Sequence, residues 1–283
     1  MTDDQLTSDR TTSGPVTSRT AQRLDELRAE GRAALVGYLP VGFPDVEGSI
    51  AAATAMVEAG VDVVELGVPY SDPVMDGLVI QHAVEHALAG GVRVRDTLRV
   101  VEAVAATGAP VLVMTYWNPV VRYGAEAFAR DIAAAGGAGL ITPDLIPDEA
   151  GDWLAASDAH GLDRVFLVAP SSTPERLALT ARSSRGFVYA ASTMGVTGTR
   201  ATVGADAARL VRDTRAAGAD HVCVGLGVST GAQAAEVAAY ADGVIVGSAF
   251  VRALADAPGR EEGLDALRGV VGELAAGVRS VTR

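Results

Sequence analysis

Three carboxylates stand close together in the segment ELGVPYSDPVMDG: Glu65, Asp72 and Asp76. Such a grouping suits general acid–base chemistry. A carboxyl that loses part of its hydration has its pKa raised toward neutrality, and it can then give and take a proton in turn. Glu65 ends an apolar run, so it is expected at a strand end. Asp76 precedes Gly77, a turn pair that can present the side chain into a site. These residues also have a structural reading, with Asp72 and Asp76 as turn formers and Glu65 as a paired acid.

Two later segments carry glycine, GLGVSTG and VGSAF. Gly227 allows close approach of backbone to an anion. Gly247 and Ser248 are expected at a helix N-terminus, where free amides and the helix dipole favour phosphate. The stretch STMGVTGTRATVG, with Gly195 and Gly198, is long, small and polar, as a lid over an active face would be. Tyr116, Trp117, Asn118 and Tyr189 can line a pocket or fill a core. His82-Ala83-Val84-Glu85-His86 matches a short zinc pattern, but the third ligand is missing: His160 and His221 lie on distant segments. A solvated helix face is the simpler reading, and no metal is expected.

These residues need a frame. Apolar runs at Ala33–Leu39, Val61–Leu66, Pro110–Met114, Gly139–Thr142, Arg164–Val168, Gly186–Ala190, His221–Gly225 and Gly243–Val246 alternate with helical stretches. Continuous apolar strands alternating with helices indicate parallel strands buried on both faces. Eight such units predict a (β/α)8 TIM barrel, with a doubly wound open sheet as the alternative. In a barrel the chemistry sits at the C-terminal strand ends. The loops after strands seven and eight, which carry Gly227, Gly247 and Ser248, form the usual phosphate site. An amphipathic helix over Ala21–Glu30 is expected to cap the barrel. Residues 1–20 read as a disordered tail and residues 21–283 as a single domain.

Composition excludes more than it selects. The 283-residue chain has a net charge of −12, which argues against a nucleic-acid partner. All 23 basic residues are Arg. Without lysine there is no side-chain Schiff base and no Walker lysine. The single cysteine, Cys223, lies in an apolar run and reads as a buried structural thiol. The polar N-terminus has no apolar signal core, and no run is long enough to span a membrane, so a cytoplasmic location is expected.

From about Ala33 onward the chain resembles the tryptophan synthase alpha-subunit family. The resemblance rests on ELGVPYSDPVMDG followed by IQ, on YLPVGFPD, MTYWNP and PDLIPDE, on the VTG of the sixth loop, and on GLGVS with VGSAF. It implies retro-aldol cleavage of indole-3-glycerol phosphate to indole and glyceraldehyde 3-phosphate. Glu65 matches the general acid–base, and Asp76 matches the acceptor of the indole N–H. Gly198, Gly227, Gly247 and Ser248 match phosphate-holding positions. Tyr189 matches a pocket residue near the glutamate, and Thr197 a lid residue that meets the aspartate on closure. It further implies a pyridoxal-phosphate beta subunit as partner in an α2β2 heterotetramer, touched by Asp72. This chain itself would need no cofactor. Leu78, Pro40, Met114 and Leu226 depart from the usual family residues. Three other readings remain: another sugar-phosphate barrel enzyme, a non-catalytic activator of the beta subunit, and a stand-alone lyase.

Overall fold

The computed structural model describes residues 17–191, 200–225 and 227–283. Thr197, Gly198 and Leu226 lie outside the described residues, as does the expected tail up to residue 16. The elements run α1 (Arg19–Ala29), β1 (Ala34–Pro40), α2 (Val46–Ala59), β2 (Val63–Gly67), α3 (Leu78–Ala89), α4 (Val94–Ala105), β3 (Val111–Met114), α5 (Trp117–Tyr123) and α6 (Ala125–Ala134). There follow β4 (Gly139–Ile141), α7 (Gly151–Ala159), β5 (Asp163–Val165), β6 (Leu167–Val168), α8 (Pro174–Ser183), β7 (Val188–Ala191) and α9 (Arg200–Ala216). The chain finishes with β8 (Val222–Gly225), α10 (Gly231–Ala238), β9 (Gly243–Val246), α11 (Ser248–Ala255) and α12 (Arg260–Arg279).

The strands pair in parallel in the order β5-β4-β3-β2-β1-β9-β8-β7-β6. The two ends of that order, β5 and β6, are separated only by Phe166. They are two halves of one strand, the first pairing β4 and the second β7. The sheet therefore returns on itself, and the expected eight-stranded barrel is present with its fifth strand in two pieces. The break falls where that strand changes neighbours. Phe166 turns its ring into the outer core, while its carbonyl still accepts from the Tyr189 N–H at 3.0 Å.

Alternation along the strands makes two cores, because successive side chains point to opposite faces. The inner one holds Val36, Val63, Leu112, Ile141, Cys223 and Ile245. Leu24 and Leu27 of α1 join it and plug the barrel from below. Cys223 is the buried structural thiol expected from the sequence. The outer core packs the opposite strand faces against the helices, with Leu35, Val64 and Val113 meeting Met56, Phe250 and Leu274.

Helix α1 begins at Arg19, two residues before the expected start. The Ser18 side chain accepts from the Ala21 N–H at 2.9 Å and caps it. Residues 18–20 thus form the N-cap and start of this helix. Helix-to-strand turns carry glycine where φ is positive, as at Gly60 (122°) and Gly218 (102°). Both lie in short Ala-Gly segments, AGVD and AGAD, that stop a helix just before the next strand. Trp117 and Asn118 open the short helix α5. Among the described residues no helix is long and apolar enough to cross a membrane.

Candidate active site

Glu65 sits in the middle of β2, opposite Tyr38 on β1 and Leu112 on β3. Val63, two residues earlier, belongs to the inner core, so Glu65 also points into the barrel. It is fully buried, and neither carboxylate oxygen has a hydrogen-bond partner among the described residues. Burial alone pushes its pKa up to about 8. A carboxyl in that state holds its proton at neutral pH and can release it to a base only slightly stronger than itself.

The chain leaves β2 at Gly67 and enters the loop that carries the two aspartates. The Tyr116 hydroxyl accepts from the N–H groups of Val74 and Met75, at 3.1 and 3.0 Å. Tyr70 packs on the Tyr116 ring with centroids 5.1 Å apart. Gln81, on α3, donates to the Asp76 carbonyl at 2.7 Å. The loop is thereby tied on both sides of Asp76. Asp76 is half-buried, and burial raises its pKa above the usual carboxylate range. Asp72 is exposed and accepts from the Ser71 hydroxyl at 2.7 Å. The structure thus separates the two aspartates: one is turned partly inward, the other outward.

Tyr189 lies on the inner face of β7, with its ring over Gly225 on the next strand. A Cβ added at Gly225 would overlap the Tyr189 hydroxyl and lie 2.9 Å from Cε1. Burial, and then the charge of Glu65, drive the Tyr189 pKa far up, so the phenol stays protonated beside the glutamate. Tyr38, which the sequence did not single out, repeats the device on the other side. A Cβ at Gly67 would overlap its hydroxyl and lie 2.7 Å from Cζ; one at Gly247 would lie 3.0 Å from Cδ1. The signal was present in the strand period. Tyr38 is two residues beyond Val36, an inner-core residue.

The glycine loops arrive beside this mouth. Gly227 holds φ 65°, and a Cβ there would meet nothing within 4 Å. Gly247 is the N-cap of α11, so the amides of Ser248 and Ala249 begin the helix without intrahelical partners. The geometry suits an anion. Of the zinc-like pattern, His86 pairs with the Pro44 carbonyl at 2.9 Å and packs edge-on against Phe43. Among the described residues no three His, Cys, Asp or Glu side chains are grouped to hold a metal.

The mouth pairs a desolvated acid with a second carboxylate and an anion cradle. The family model described as tryptophan synthase alpha chain matches residues 24–279. The chain belongs to the tryptophan synthase alpha chain family.

The tryptophan synthase alpha chain of Salinispora tropica is 67% identical over 93% of this chain and 98% of its own length. That of Mycobacterium tuberculosis is 64% identical over 93% and 95%. A solved structure of the M. tuberculosis tryptophan synthase superposes with a TM-score of 0.87 at 63% identity, covering 93% of this chain and 99% of the other. As a member of the tryptophan synthase alpha chain family the protein is an enzyme subunit of tryptophan biosynthesis, and the barrel read from its sequence is the fold of that family.

Proposed function

We propose that this chain cleaves indole-3-glycerol phosphate to indole and glyceraldehyde 3-phosphate, a carbon–carbon lyase step carried by Glu65 and Asp76. The reading rests above all on Glu65: fully buried, without a hydrogen-bond partner among the described residues, and protonated at neutral pH. An aldol cleavage needs a place for the electrons of the breaking bond. The chain has no lysine for a Schiff base. The substrate's own ring can serve. Glu65 gives its proton to indole C3, which makes an indoleninium. Asp76, as carboxylate, accepts the ring N–H and balances the charge. The Glu65 carboxylate then takes the proton of the adjacent glycerol hydroxyl while the C–C bond breaks. Its electrons return to the ring, indole forms, and Glu65 regains its proton. Gly227, Gly247 and Ser248, with Gly198 and Thr197 on the sixth loop, would hold the phosphate and close over it. Tyr189 would pack beside the reacting carbon.

The partner reading is supported by the same face. Val74 and Leu78 on the second loop and α3 are 78% and 70% exposed, and Met75, Val121 and Ile146 are exposed as well. A cavity of about 470 Å³ lies between Trp117, Val121, Leu145 and Ile146. An apolar surface of this kind favours a protein partner. We assign it to a beta subunit, with Asp72 at the contact, an α2β2 assembly, and pyridoxal phosphate held by the partner only. The assembly would work in the cytoplasm.

The test is indole release from indole-3-glycerol phosphate by the purified chain, alone and with a beta subunit, beside Glu65→Gln. Weak release alone, a large rise with the partner and loss in the variant are expected. Release that survives in Glu65→Gln removes the acid–base assignment. No release under either condition leaves a non-catalytic activator or another phosphate-binding barrel.

A further inference from the structure

His221 is buried at the base of the barrel, just ahead of β8, and the reaction read above does not use it. Both of its ring nitrogens meet helix α1. Nδ1 lies 2.8 Å from the Arg28 guanidinium, and Nε2 lies 3.2 Å from the Asp25 carboxylate. A guanidinium has donors and no acceptor, so Nδ1 can only accept. The ring is therefore neutral, with its one proton on Nε2 and directed at Asp25. The same Arg28 nitrogen also donates to the Asp220 carbonyl at 2.7 Å and reaches Asp242 at 3.5 Å.

These contacts fall on the second half of α1, the half that carries Leu24 and Leu27. Both leucines share the inner core with Val36, Val63 and Cys223. Val63 stands two residues before Glu65, so the plug lies directly under the acid's strand. The charged groups around His221 come from every side. Asp25 and Arg28 belong to α1, Asp220 precedes β8, and Asp242 precedes β9 and is held in turn by Arg215 of α9 and by Arg283 at the C-terminus. Burial, and then Arg28, oppose a second proton on the ring. Asp25, Asp242 and Asp220 favour it but do not outweigh them, and the His221 pKa ends below the ordinary 6.5. A proton added to Nδ1 would point at Arg28 and remove the acceptor that Arg28 uses.

Independently of the cleavage reading, we infer that His221 is an acid-sensitive latch on α1: the neutral ring accepts from Arg28 and donates to Asp25, and its protonation breaks the Arg28 contact and loosens the helix that plugs the barrel. The docked ring takes a proton less readily than a free one. Docking is therefore at full strength above pH 6.5 and weakens as pH falls below it. At about pH 5.5 a free imidazole is protonated by about ten to one, so docking can weaken by up to about tenfold.

The test is amide hydrogen exchange along α1 in the full chain at about pH 7.5 and about pH 5.5, corrected for the intrinsic pH dependence of exchange, in wild type and His221→Asn. The asparagine carbonyl can accept from Arg28 and takes no proton. Protection of α1 in wild type is expected to fall about three- to tenfold at the lower pH, and to change by less than about twofold in the variant. The carboxylates of the base are present in both proteins, so loosening that they cause is shared. An equal loss of protection in both, or none in wild type, overturns the inference. If His221→Asn does not fold, the 15N shifts of the wild-type ring decide. A bare Nδ1 at neutral pH with a titration below 6.5 supports the latch; a proton on Nδ1, or a titration above 6.5, overturns it.

Discussion

The two ends of the barrel treat buried acids in opposite ways. At the base, Asp62 accepts from Arg32 at 2.9 and 3.0 Å, from Arg23 at 3.0 Å and from the Leu35 N–H at 3.0 Å. Asp242 accepts from Arg215 at 2.8 Å and from the Val222 N–H at 2.9 Å, with Arg28 and Arg283 close by. Burial pushes Asp242 up, but these partners outweigh it and its pKa ends below the usual range. At the mouth, Glu65 is as buried as any of them and has no hydrogen-bond partner among the described residues. Burial acts unopposed there. Asp163 stands between the extremes. One oxygen accepts from the Thr20 N–H at 3.1 Å, the other has no hydrogen bond among the described residues, and burial keeps its pKa raised. The base uses carboxylates to tie α1 and the strand starts together. The mouth keeps one in a state that costs stability and supplies a transferable proton.

The largest expected effect is on catalysis. Glu65→Gln should lower the rate of indole release by about 10²–10⁴, the range for removing a general acid–base group. A matched loss in Asp62→Asn, far from the mouth, would break the contrast between the two ends. Next comes the base itself. Asp62→Ala should destabilise the fold by about 3 kcal/mol in urea titration, because it leaves Arg32 and the Leu35 amide without their acceptor. A change under 1 kcal/mol would mean that the base cluster holds little.

The third effect has the opposite sign. The Glu65 carboxyl has a pKa of about 8 in the folded chain against 4.5 when exposed. Below pH 4.5 it is protonated in both states and folding is unaffected. As pH rises toward 8 the unfolded chain releases the proton and the folded chain does not, so stability falls. Glu65→Gln should therefore be more stable than wild type at pH 8, by about 2 kcal/mol, with the gap closing toward pH 4.5. Equal melting profiles at both pH values would show that Glu65 is not held neutral. Asp242, with its lowered pKa, should give the reverse trend, adding stability at neutral pH that is lost as pH falls through its own titration. The smallest effect sharpens the comparison from outside: Arg268→Ala, which breaks an exposed pair with Asp265, should change stability by less than about 0.5 kcal/mol.

Much of the frame was legible in the chain itself. Apolar strands such as Val111–Met114 and Gly243–Val246 stand out because a parallel barrel buries both strand faces, and glycine stops such as Gly60 mark helix ends because only glycine takes φ 122° easily. The segment ELGVPYSDPVMDG carried the family and pointed to Glu65 and Asp76. Less legible was the break at Phe166, since a strand's neighbours are not written in its own residues. The short helix at Trp117 was missed for a related reason: its start is fixed by Asp144, from the loop after the neighbouring strand β4, whose side chain accepts from the Trp117 N–H at 2.8 Å.

Sequence by itself determined the periodicity, the absence of lysine, the acids available and the lineage. Each depends only on residue type and order. Tertiary structure decided which of those acids has a partner. Asp62 and Glu65 are three residues apart on the same chain, yet among the described residues one meets two arginines and the other meets none. That difference is set by what distant segments bring within a few ångströms, and a carboxyl's proton affinity follows from that surrounding and not from its neighbours in the chain.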